Sequence, residues 1–164
     1  MKKYLKLFVM AVVAVATLSL SSCSKDDPEV GFGTLTINGT KYKLAYHTQG
    51  GFYDPDPGQG VFTITVENGS KNYSYIFSFW ANEMPEVGEN LGYYDLTMRG
   101  GDETLTTFGT LDFVGGEVTI KSLSNGFITL EFDNCEMYGT TDYYGHEKVT
   151  YEFDGTVKIP FEVR

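Results

Sequence analysis

The chain has 164 residues, 22 acidic against 12 basic, for a formal charge of −10. An excess of negative charge this large is repelled by phosphate, which excludes nucleic acid as a partner and electrostatic docking on anionic lipid. With only two cysteines, one of them assigned to lipid below, no disulfide can form within the chain, so stability must come from a buried core.

The first residues carry a sorting signal. Lys2, Lys3 and Lys6 form a positive start, and Leu7 to Leu20 is a run interrupted only by Thr17 and Ser19. Fourteen residues are too few to span a bilayer, which takes about 20, but they suit the apolar segment of a secretory signal. The run ends in Leu20-Ser21-Ser22-Cys23, which resembles the lipobox of bacterial lipoproteins: an aliphatic residue, two small residues and an obligatory cysteine. The thiol is the nucleophile that takes the diacylglyceryl group, and small neighbours let the peptidase reach the backbone. Residues 1–22 are expected to leave as a lipoprotein signal peptide, with Cys23 as the lipidated first residue, carrying palmitate-like acyl chains. Each buried methylene contributes about 0.8 kcal/mol, so several chains anchor firmly. Losing three lysines and no carboxylate takes the mature charge to −13.

Residues 23–32 read as an acidic tether. Ser24-Lys25-Asp26-Asp27 resembles the tract behind the lipidated cysteine of surface-exported lipoproteins of Bacteroidetes, and Ser24 directly after the cysteine resembles the pattern of lipoproteins passed to the outer membrane. From Gly33 to Arg164 period-two alternation dominates, with glycines where turns are needed, so 33–164 is expected to be one all-β domain. Strands are expected over 33–37, 40–47, 61–67, 72–80, 92–98, 105–113, 117–123, 127–137 and 148–163. Nine antiparallel strands with tight turns imply a β-sandwich or an open barrel.

Hairpin turns dictate which residues share a face. Asn38-Gly39 pairs Ile37 with Thr40, Leu35 with Tyr42 and Gly33 with Leu44. The turn at Asn68 to Lys71 pairs Val66 with Tyr73, Ile64 with Tyr75 and Phe62 with Phe77. A three-residue loop, Ser124-Asn125-Gly126, pairs Leu123 with Phe127, Ile120 with Leu130 and Val118 with Phe132. Asp154-Gly155 resembles a fourth turn, but a hairpin there would bury Thr156 and Lys158 and expose Val157, Ile159 and Phe161. One long strand instead turns Val149, Tyr151, Phe153, Val157, Ile159, Phe161 and Val163 inward, with Gly155 as a bend.

The Asn38-Gly39-Thr40-Lys41-Tyr42 opening, the Gly116-Glu117-Val118-Thr119-Ile120 strand and the Gly155-Thr156-Val157-Lys158-Ile159-Pro160-Phe161 ending are similar, in that order, to small lipoproteins of Bacteroidetes. The resemblance implies a lipobox, an acidic tether and one β-domain of this length. That family has no established activity and so lends no functional residues.

Chemistry-bearing groups are sparse. Asp54-Pro55-Asp56-Pro57-Gly58 begins like a calcium loop, but Thr65 stands where an EF-hand needs its bidentate Glu, so a rigid exposed loop is expected. His47, His146 and Cys135 show no zinc spacing, and no nucleophile motif accompanies either histidine. Cys135 reads as a small buried hydrophobe. No catalytic residue, metal or cofactor is therefore assigned. Most aromatics fall on inward rows, and a few do not; Phe52 and Tyr53 are expected in the Gly/Pro loop, and five residues stand out: Tyr53, Trp80, Tyr93, Tyr143 and Tyr144. These are the candidate ligand-binding residues, because exposed rings stack on sugars and anchor protein partners. The expected function is non-enzymatic: a binding or accessory module, held at the outer membrane through Cys23, that meets a glycan or an envelope protein. The alternatives are a lipocalin-like carrier with an apolar ligand inside a closed barrel, and a structural envelope component.

Overall fold

The computed structural model describes residues 32–45, 48–53, 58–102, 109–141 and 147–164. The expected signal, Cys23 and most of the expected tether lie outside these residues. Among the described residues nine strands form: β1 (Phe32–Ile37), β2 (Thr40–Lys43), β3 (Gln49–Tyr53), β4 (Gly58–Asn68), β5 (Lys71–Ala81), β6 (Thr97–Gly101), β7 (Thr110–Ser124), β8 (Phe127–Thr140) and β9 (Lys148–Val163). A single 3-10 turn, Leu91–Tyr93, stands between β5 and β6.

The strands follow the order β2-β1-β9-β3-β4-β5-β6-β7-β8, and β8 pairs in turn with β9. Seven strands, β3 to β9, thus close into a barrel. The β1–β2 hairpin lies on the stretch of β9 that β3 leaves free: β1 pairs with 153–158 and β3 with 161–163. The expected all-β architecture is present, but it is neither a sandwich nor open. Closure is possible because β9 is 16 residues long and serves β8 along one edge while serving β1 and β3 in succession along the other. A closed wall leaves no long row of unpaired backbone groups.

Paired residues followed once around the wall run from Phe161 through Gly50, Phe62, Phe77, Met98, Leu111 and Gly139 to Val149, twelve residues back along β9. Such a stagger makes the strands tilt steeply, and long strands must coil to follow it. The coiling is concentrated at one level. β7 breaks register at Gly115 and Gly116, β8 between Phe132 and Cys135, and β9 bends at Gly155. Asn134 adopts φ 47°, and its N–H donates to Asp154 Oδ1 at 3.0 Å. Gly155 has φ 127°, and a Cβ there would lie 2.6 Å from the Thr34 carbonyl oxygen, so only glycine fits.

The first two hairpin registers form as expected over Leu35–Tyr42 and over Val66–Tyr73 to Phe62–Phe77. Four expectations change. Pairing of β1 with β2 stops at Thr34–Lys43, and Leu44 bridges Val66 instead of Gly33. The 124–126 loop is a two-residue turn, with Asn125 and Gly126 both at positive φ, so Leu123 faces Ile128; a bulge at Lys121 then restores Ile120–Leu130 and Val118–Phe132. The strand expected over 92–98 begins only at Thr97, because Asn90 Oδ1 accepts the Gly92 and Val118 N–H groups and holds the chain in a turn. Of the strand expected over 105–113, residues 105–108 lie outside the described residues; the remainder, from Thr110, is one strand with that expected over 117–123, carried through the Gly115-Gly116 bulge. β3 was not expected at all.

The interior is a column of aromatic rings. Phe77 stacks on Phe62 at 4.9 Å between centroids and meets Phe153 at 5.4 Å and Phe132 at 5.6 Å. Tyr75 continues the column, edge-on to Phe153 at 5.5 Å and to Tyr151 at 6.0 Å. At the other end Phe52, expected in a loop, is instead buried on β3 and stacks with Phe79 across the inner surface, the Phe79 ring filling the place a Gly60 side chain would take. From Tyr151 to Phe161 the expected inward row of β9 is buried, whereas Val163, at the rim, is exposed. The mouth near Tyr151 is tied by its hydroxyl, which donates to Asp102 Oδ1 at 2.7 Å. Cys135 lies fully inside, as expected.

Two outcomes follow from this core. Phe77→Ala removes the ring at the centre of the column and is expected to cost about 3–5 kcal/mol of stability, read as a shift in the urea unfolding midpoint. Burial, with the Asp154 charge nearby, pushes the Cys135 thiol from 9.0 up to about 12. The unfolded chain therefore sheds this proton first, so stability is complete below about pH 9 and falls as pH rises toward 12. Tyr75, raised by burial and by Asp102, acts in the same sense above its ordinary 10.0. Urea midpoints should fall from pH 8 to pH 11, less steeply in Cys135→Ala, and Cys135 should resist alkylation at pH 8 until the protein is unfolded.

Candidate functional site

Because successive residues of a strand point to opposite faces, filling the interior with Phe62, Phe77 and Phe79 leaves the alternate residues of β4 and β5 outside. Trp80 and Ile76 are outward on β5, 47% and 37% exposed. Among the described residues no second layer covers them. The Trp80 backbone N–H donates to the Tyr94 carbonyl at 2.9 Å, which holds the rim of β5 against the segment leading into β6.

β3 supplies the other half of the face. It sits between β9 and β4, parallel to β9, and Tyr53 pairs with Gln59 just as Gln59 pairs with Trp80. The three residues form one outward row across β3, β4 and β5, with a ring at each end and an amide between. The row beside it holds Gly51, Val61 and Ser78, and the next holds Gln49, Thr63 and Ile76. The order of residues in β3 is dictated by space. Inward, a Gly50 side chain would lie 2.7 Å from Phe62 Cβ and 2.8 Å from Phe161 Cδ2. Outward, a Cβ on Gly51 would lie 3.3 Å from the Tyr53 hydroxyl oxygen and 3.4 Å from its Cζ, so the Tyr53 ring folds back along the strand over Gly51.

The bare backbone at Gly50 and Gly51 opens a groove of about 560 Å³ between β4 and the end of β9. Thr63, Gln49 and Tyr53 line one side and Pro160, Glu162 and Arg164 the other. The Arg164 guanidinium lies 5.8 Å from the Tyr53 ring centroid, and its Nε donates to Glu162 Oε2 at 2.8 Å. Exposed pairs of this kind contribute little to stability, but here the pair neutralises the one carboxylate lining the groove among the described residues.

Two of the five expected residues, Tyr53 and Trp80, are thus brought onto one face. Tyr93 is 83% exposed on the 3-10 turn, beside Tyr94. Tyr143 and Tyr144 lie outside the described residues, and the strand ends that bracket them, Thr140 and Lys148, belong to the opposite rim from Trp80. Cys23, His47, His146, Asp54 and Asp56 also lie outside. Among the described residues no group of three His, Cys, Asp or Glu side chains is placed to hold a metal ion. Gln59 is not among the expected residues, although the Val66–Tyr73 register sets it opposite Trp80. The contributions of Gly51, Gln49, Glu162 and Arg164 had no local signal, because they depend on β3 lying beside β9.

Comparison with known proteins gives no match: no family model, no curated protein and no solved structure is significantly similar to this chain.

Proposed function

We propose that this protein is a lipid-anchored, non-enzymatic binding or accessory module of the outer membrane, which meets a glycan or protein partner through the outer face of β3, β4 and β5. The observation that carries the reading is the row Tyr53–Gln59–Trp80, two half-exposed rings flanking an amide at the edge of an open groove. A half-exposed Trp offers a broad apolar contact surface, and aromatic residues are the commonest anchors of recognition surfaces. The carrier alternative needs space inside the barrel, and the space is taken up by rings in mutual contact. The anchor rests on the Leu20-Ser21-Ser22-Cys23 motif, and the acidity of the chain leaves acyl chains as the means of holding it at a membrane.

Two measurements test the reading. Replacing Cys23 with Ala should release the protein from the envelope fraction and remove the acyl mass; a variant that still sediments with membranes and keeps its lipid would overturn the anchor. Trp80 is the sole Trp, so fluorescence reports this face directly. Emission should be red-shifted and open to acrylamide, then shift to the blue and become shielded when envelope polysaccharide or envelope protein binds. A spectrum indifferent to both would remove the case for a binding face.

A further inference from the structure

We infer that the ligand of this face is a neutral polysaccharide chain lying across the strands, with one sugar ring on Trp80, another on Tyr53, and the Gln59 amide bonding the hydroxyls between them; this rests on the binding-module reading above.

The spacing suits a chain rather than a single small molecule. Trp80 and Tyr53 stand two strand spacings apart, roughly 10 Å, too far for one sugar ring to touch both. The posture of the rings suits sugar as well. Tyr53 lies back over Gly51 instead of standing up from the sheet, and the Arg164 guanidinium is 5.8 Å from its ring centroid, so a sugar would take the ring face that the guanidinium leaves. That face is electron-rich, and it attracts the slightly positive C–H groups on the flat side of a pyranose. The groups around the rings complete the match. Gln59 and Gln49 offer amides, and Ser78 and Thr63 offer hydroxyls, each both a donor and an acceptor. A sugar hydroxyl is the same kind of group.

Charge points the same way. On a chain of net charge −10, the described residues lining the groove carry one acidic side chain, Glu162, and it is already paired with Arg164; at the other end of the row Asp95 follows Tyr94, whose carbonyl accepts the Trp80 N–H. A polycation would find stronger sites on the rest of the surface, and a polyanion would be repelled by the whole protein. A protein partner is matched less well. Its hot spot is a desolvated pocket ringed by closely packed contacts. Here the centre of the face is Gly51, Val61 and Ser78, and the rings lie at the ends of an open row.

The test is calorimetric titration of the purified protein with neutral cello-, xylo- and manno-oligosaccharides of increasing length, with an acidic polygalacturonate as the control. Affinity for at least one neutral series should rise until the chain spans both rings and then level off, while the control stays silent. Trp80→Ala and Tyr53→Ala should each weaken binding about tenfold, and Gln59→Ala less. All three side chains lie on the surface, so unchanged thermal unfolding will confirm that the fold is kept. Binding that ignores length, or survives both ring deletions, overturns the inference. If no saccharide binds but an envelope protein shields Trp80 from acrylamide, the sugar assignment falls and the binding face stands. If neither binds, both fall.

Discussion

The structure depends on one strand being paired along both edges. β9 gives one edge to β8 and divides the other between β1 and β3. Without that double service the sheet would remain open, and its ring-lined inner surface would face water. Closure demands that long strands coil, and coiling is permitted at one level by Gly116, Asn134 and Gly155, where the wall bulges. Glycine at Gly155 is therefore a condition of the architecture, since β1 approaches it too closely for any side chain.

Closure also determines what the outside can be. A barrel of this size buries its rings on one set of alternate positions, and the column from Phe62 to Tyr151 uses the available volume. What is left for contact is the outer surface, where Tyr53 and Trp80 stand among hydroxyls and amides. The same steric economy that puts Gly50 under Phe62 and Phe161 makes β3 thin enough to leave a groove beside it. The packing of the interior and the shape of the outer face are two sides of one strand.

Much of this was legible in the residues alone. Alternation and turn chemistry determined the facing of the β1–β2 and β4–β5 hairpins, the continuity of β9 through Asp154-Gly155, the burial of Cys135 and the outward position of Trp80, because each depends on neighbours a few residues away. Closure, the insertion of β3 and the meeting of Tyr53, Gln59 and Trp80 were decided only in three dimensions. They require Gly50 to find Phe161 and β8 to curl onto β9, and a Gln-Gly-Gly segment carries no apolar period to announce a strand. A strand held by the space between two others has no pattern of its own, since its side chains were removed to make it fit.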